Sequence, residues 1–181
     1  MKKSDRTKQR LLEAATAEFA AYGFAGARVD RIAQAADANK QAIYAYFESK
    51  ESLFEAVYDE MVTRLIAAVQ MDAGNLPGYA ASLADYYAGH PEVLRIASWY
   101  ELEKAGQSPR PAASERATQS KIAGIAAAQK AGTITDRFRP EHLLELILGM
   151  TRSSVYESAA PAKASASRKA LVEAIERLVR P

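Results

Sequence analysis

Residues 29–51 read VDRIAQAADANKQAIYAYFESKE, and two short apolar patterns lie in them on either side of Asp37-Ala38-Asn39. In the first, Val29, Ile32, Ala33 and Ala36 recur at the three- and four-residue steps of one helix face. In the second, Ile43 and Phe47 stand four apart. The turn between them needs a residue with positive φ, and Asp37 holds that place; aspartate tolerates it better than most residues other than glycine. Asn39 can then cap the second helix through its side chain. Two short helices joined this tightly have the layout of a helix-turn-helix, whose second helix can lie in a DNA major groove.

Successive side chains are turned by about 100° around a helix, which divides the second helix into two faces. Ile43 and Phe47 point inward, onto Ile32 and Ala33, while Gln41 and Ala45 face outward with Ala42 and Tyr44 on the flanks. Lys40 projects from the first turn and Lys50 from the start of the next helix. An amide side chain can pair bidentately with adenine, and alanine methyls can meet thymine methyls. Tyrosine hydroxyls, lysines and helix N-termini suit phosphates. The plainer alternative is a solvated face with a packing tyrosine and ordinary surface lysines.

Ser4 and Asp5 are N-caps for a first helix running to Tyr22 and stopped by Gly23, with Leu11, Leu12, Ala15 and Phe19 as its buried stripe. GFAGAR follows as a loop. Ser49 caps a long helix to Ala73, on which Leu53, Val57, Met61, Leu65 and Val69 repeat at i+4 until AGNLPG. Five further helices are expected over residues 79–88, 91–104, 114–131, 140–158 and 167–179, with GQSPRPAAS and APAKASAS as loops. No segment alternates like a strand. The fold class is all-α, with a small N-terminal unit over residues 1–48 and a larger helical body over residues 49–181.

Composition narrows the functions further. The chain has 181 residues, 49% hydrophobic and 25% charged, which suits a packed domain and not a disordered one. No cysteine is present, so disulfides, thiol nucleophiles and cysteine-bound metals are excluded. Glu13 and Glu18 interrupt the apolar segment after MKKSDRTKQR, which therefore reads as an amphipathic helix and not a leader, and no run approaches a membrane span. A cytoplasmic protein is expected. Residues 1–50 hold nine Lys/Arg against six Asp/Glu, and the remainder fifteen against sixteen, so the basic bias sits with the helix-turn-helix. His90 and His142 lack partners at ligand spacing, so no metal is expected. No nucleophile elbow, phosphate-binding glycine loop or paired catalytic carboxylates occur, so neither an enzyme nor a cofactor is expected.

The motifs RLLEAATAEFAAYGF, VDRIAQAAD, AIYAYF and SKESLF stand in this order between Thr7 and Glu60. In order and spacing they resemble the N-terminal domain of the TetR family of bacterial transcriptional regulators. The resemblance implies a three-helix DNA-binding domain with a helix-turn-helix, plus a larger helical-bundle ligand-binding and dimerisation domain. It departs from the family at Asp37, commonly glycine, and at Ala27 and Arg28, where a small hydroxyl residue usually meets phosphate; Arg28 can supply that contact by charge. Tyr46 stands where a histidine often precedes the final phenylalanine.

The DNA-binding set is therefore Arg28, Lys40, Gln41, Ala42, Tyr44, Ala45, Tyr46 and Lys50. The resemblance also implies a small-molecule effector, for which Tyr86, Arg95, Trp99, Tyr100, Arg152 and Tyr156 are pocket candidates, and core packing is their alternative. It implies a homodimer seated on a palindromic operator of double-stranded DNA, with Leu146, Met150, Ser153, Leu171, Ile175 and Leu178 as interface candidates and intramolecular core as their alternative. The leading reading is a repressor released by its effector. The second is a regulator without small-molecule control, or an activator.

Overall fold

The computed structural model of the chain describes residues 3–104, 112–156 and 161–181. Among them are nine helices and no strand: α1 (Lys3–Gly26), α2 (Val29–Ala35), α3 (Lys40–Phe47), α4 (Lys50–Ala68), α5 (Leu76–Gly89), α6 (Pro91–Lys104), α7 (Ala112–Lys130), α8 (Pro140–Tyr156) and α9 (Pro161–Val179). They group into two compact units. The first comprises residues 1–63 and 91–111, the second residues 64–90 and 112–181. This division differs from a single boundary at residue 48: α6 and most of α4 belong with the helix-turn-helix.

The first unit is built on an aromatic seam. Phe19 of α1 meets Phe54 of α4 edge to face at 4.9 Å, and Phe54 contacts Phe24 at 5.4 Å and Tyr100 of α6 at 6.0 Å. Tyr58 stacks on Tyr100 at 3.7 Å. Such pairs add to the burial of large apolar areas. Gly23 breaks α1 with φ +67°, as expected of a helix-stopping glycine, but the chain resumes a helical turn through Gly26 where a loop was expected. A second reason for glycine there is Trp99: a Cβ on Gly23 would stand 2.7 Å from Trp99 Cε2.

The turn of the helix-turn-helix is a C-cap running straight into an N-cap. Asp37, at φ 48°, donates its N–H to the Gln34 carbonyl at 3.1 Å, and Ala38 donates to Ala33 at 3.0 Å. These two bonds are the Schellman arrangement, which requires a left-handed residue where Asp37 stands. Asn39 Oδ1 then accepts the Ala42 N–H at 2.8 Å and starts α3. At the other end of α3 a tighter turn was not foreseen. Glu48 has φ 66° and ψ −46°, and Ser49 N–H reaches back to the Phe47 carbonyl at 2.7 Å. This is a γ-turn of the strained hand, after which Ser49 Oγ caps α4 on the Ser52 N–H at 3.0 Å.

In the second unit α5 packs on α8 and α9, and α8 packs on α7 and α9. Leu76, Leu83, Ile125, Leu143, Ile147, Leu171 and Ile175 form its core. Gly132, at φ 69°, ends α7, and Gln129 Nε2 donates to the carbonyls of Thr135 and Phe138 at 3.0 and 2.8 Å, ordering the link to α8. Two helix ends differ from expectation. α4 stops at Ala68 and not at Ala73, and α9 begins at Pro161, so most of the expected APAKASAS loop is helical. Proline suits a first helical position, where its missing N–H costs nothing. Residues 105–111 and 157–160, which hold most of the expected GQSPRPAAS loop, the end of the expected penultimate helix and the start of APAKASAS, lie outside the described residues.

Glu48→Gly should raise the stability of the first unit by about 1 kcal/mol, because the relieved strain exceeds the added freedom of the unfolded chain. Urea unfolding followed by the fluorescence of Trp99, the single tryptophan, measures it. An unchanged or lower midpoint would mean that Glu48 is not strained.

Candidate nucleic-acid interface

The two faces of α3 are as separate as its spacing requires. Ile43 and Phe47 are buried, at 0% and 5% exposure, with Ile32 and Ala33 of α2 also buried. Gln41, Tyr44 and Ala45 are exposed and Ala42 is half-buried on the flank. Gln41 makes no hydrogen bond to any described residue, so both its amide donor and acceptor are available. The same holds for the exposed Arg28 side chain, which stands at the N-cap of α2 without capping it.

The remaining members of the set are engaged, each differently. Lys40 Nζ pairs with Asp30 at 3.0 Å, and both partners are largely exposed. Exchanging such a pair for a phosphate costs little, because solvent already screens it. Lys50 is half-buried, with its ammonium 4.8 Å from the centroid of the Phe24 ring. The two tyrosines separate cleanly. Tyr44 is exposed, whereas the Tyr46 hydroxyl meets Ser4 Oγ at 3.0 Å and donates to the Ser4 carbonyl at 3.3 Å. Tyr46 thereby ties the end of α3 to the start of α1, and its hydroxyl is already used within the domain.

What aims this face is a buried carboxylate absent from the expected set. Glu18, on the inward side of α1 and only 9% exposed, accepts the backbone N–H of Arg28 at 2.8 Å and Nε of Arg31 at 2.7 Å. Arg31 also donates to the Gly26 carbonyl at 3.0 Å and lies over the Tyr22 ring at 4.3 Å. One acid thus satisfies an otherwise orphaned donor at the start of α2 and anchors that helix on α1. The sequence carried the signal: Leu11, Ala15 and Glu18 share the buried stripe of α1, where an acid needs a partner.

The effector candidates divide between the two units. Tyr100 is 5% exposed and stacked on Tyr58, and Trp99, 36% exposed, lies against Gly23, both in the first unit. Arg95 is an exposed residue of the same unit. Tyr86, Arg152 and Tyr156 belong to the second unit, where the Tyr86 ring meets His90 at 4.5 Å in a tilted contact and Tyr156 is 56% exposed. The interface candidates divide too. Leu171 and Ile175 are buried within their own chain, at 4% and 0% exposure, and are unavailable to a second one. Leu146 and Ser153 are exposed on α8, with Met150 of α8 and Leu178 of α9 half-buried. Period alone cannot say which side of an apolar helix meets its own core; α9 turns inward with both large residues.

Burial raises the Glu18 carboxyl, but the Arg31 guanidinium and the Arg28 N–H outweigh it and hold the group below the usual carboxylate value. A group depressed in the folded state stabilises fully above its unfolded pKa, and the contribution is lost as pH falls through the folded value. Glu18→Gln should therefore cost the first unit about 1–2 kcal/mol at pH 7, a figure discounted for the exposure of Arg31. The gap between the two proteins should close as pH falls through the lowered folded value of Glu18. A gap independent of pH in Trp99-monitored unfolding would show that the carboxylate charge is not the anchor.

Two family patterns match this chain. The pattern described as "Bacterial regulatory proteins, tetR family" matches residues 11–57, and that described as "Tetracyclin repressor-like, C-terminal domain" matches residues 75–180. The HTH-type transcriptional repressor SCO4008 of Streptomyces coelicolor is 40% identical over 152 residues, covering 83% of this chain and 79% of that one. The HTH-type transcriptional repressor NicS of Pseudomonas putida is 32% identical over 129 residues, covering 67% and 60%. Among solved structures, a putative transcriptional regulator of Streptomyces coelicolor, SCO4942, superposes with a TM-score of 0.81 at 36% identity over 97% of this chain and 99% of that one.

Proposed function

The chain belongs to the TetR family of bacterial regulatory proteins, and from that membership we propose a repressor that holds a palindromic operator as a homodimer and releases it when a small organic effector binds the second unit. DNA-binding control of transcription comes with the family. The sign of regulation, the effector and the palindrome are the proposal, and the relatives in Streptomyces and Pseudomonas, both called repressors, support its sign.

The observation that carries the DNA reading is the outward face of α3. An unpaired Gln41 amide stands beside two alanines small enough to let the helix backbone enter a major groove, with Tyr44 and Lys40 at its edges and Arg28 on α2. Lys50 is a phosphate ligand at the start of α4, and Tyr46 serves DNA by holding α3 in place. A homodimer is supported by the outward side of α8, where Leu146 is 42% exposed and Gly149 faces open space. Two recognition helices set roughly 34–36 Å apart would meet successive major grooves. Release requires an effector that binds more tightly to the chain when it is off DNA. Catalysis has no part in this account. Among the described residues no helix is long and apolar enough to cross a membrane, and DNA places such a regulator in the cytoplasm.

Selection of bound DNA from a random pool should enrich a palindrome; no enrichment above non-specific binding would sink the reading. On the enriched site Gln41→Ala should cost about 1–3 kcal/mol and relax preference at one base position per half-site. Unchanged base preference would remove Gln41 from the readout.

A further inference from the structure

Helix α7 places one charge on its inward side. Thr118, Lys121, Ile122, Ile125 and Gln129 form that side, while Glu115, Arg116 and Lys130 are exposed. Lys121 is half-buried one turn before the fully buried Ile125. Its ammonium lies 5.4 Å from the centroid of the Tyr79 ring on α5, and no carboxylate pairs with it among the described residues. Burial moves its pKa downward.

Tyr79 has the complementary peculiarity. It is 4% exposed, and burial pushes its hydroxyl up to about 12, so it remains a proton donor at neutral pH. That hydroxyl has no hydrogen-bond partner among the described residues. No fully enclosed side-chain oxygen among them lacks a partner, so the hydroxyl is not fully enclosed. Apolar side chains approach α7 three residues further on: a Cβ at Gly124 would stand 3.5 Å from Met71 Cε and 3.7 Å from Ala73 Cβ. The buried polar side chains described in this unit are Thr135 and Thr151, so no buried acid awaits a cation.

An ammonium with no carboxylate partner, lying over the ring of a tyrosine whose hydroxyl is unpartnered among the described residues, suits an organic acid. We propose that Lys121 and Tyr79 form the anion-binding end of the effector site, and that the effector is a carboxylate on an apolar body. The assignment rests on the effector control proposed above. Lys121 supplies the charge, Tyr79 a donor that fixes orientation, and the surrounding apolar surface excludes water and strengthens both contacts.

The test uses the full chain on its selected operator, with benzoate and octanoate set against benzamide, octanamide and benzyltrimethylammonium. Operator release is followed by fluorescence anisotropy and binding by thermal shift. The acids should release DNA and raise Tm where the amides do not. Lys121→Met should weaken the response to the acids about tenfold or more, Lys121→Arg less, and Tyr79→Phe by a smaller factor. Unchanged operator affinity of these variants without ligand reports an intact fold. Release by the amides or the ammonium compound, equal in wild type and Lys121→Met, overturns the anion site and leaves effector control standing. Stabilisation by the acids that depends on Lys121, without operator release, keeps the anion site and removes effector control. Release and stabilisation by none of the compounds at millimolar concentration overturns both.

Discussion

The burial of Ile43 and Phe47 is the constraint on which the rest depends, because a helix of eight residues has no other means of deciding which side faces out. Isolated, so short a helix would be marginal in water. Packing onto α2 and capping by Asn39 make it persist, and the same packing leaves Gln41 and Ala45 exposed. Everything proposed about DNA follows from that division. Were the register of α3 shifted by one residue, Lys40 or Ala42 would occupy the position of the amide.

Holding α3 still is a task shared by groups that never face DNA. Glu18 secures the start of α2, Arg10 reaches the Asp37 turn from α1 at 3.4 Å, and Tyr46 returns to Ser4. The Arg10–Asp37 contact is exposed and worth little by itself; the buried acid is the costly element, since its loss would strand the Arg28 N–H and the Arg31 cation. Helix α6 belongs to this unit through Tyr100 and Trp99, although it follows α5 of the other unit in the chain. The motif is therefore a property of five helices, with α2 and α3 its outermost expression.

Much of this was legible from residue type and spacing. The all-α class, the positive φ at Asp37, the Asn39 and Ser49 caps and the inward turn of Ile43 and Phe47 all depend on local chemistry, which sequence states directly. What escaped depends on partners distant in the chain. Nothing local announces that Trp99 rests against Gly23 of α1, or Tyr100 against Phe54 and Tyr58 of α4. Leu171 and Ile175 likewise satisfy an interface or a core, and only the position of α5 decides. Tyr46 is readable through its neighbour Ser4, and Lys121 through having no carboxylate partner among the described residues.

The absence of native cysteine makes the orientation of α3 directly measurable. Ala45→Cys on the outward face and Leu102→Cys, 74% exposed on α6, each supply a single thiol for maleimide labelling with and without saturating operator DNA. DNA should shield the thiol at position 45 strongly and leave that at position 102 as reactive as in the free protein. Equal labelling of position 45 in the free and bound protein, with binding intact, would contradict the account.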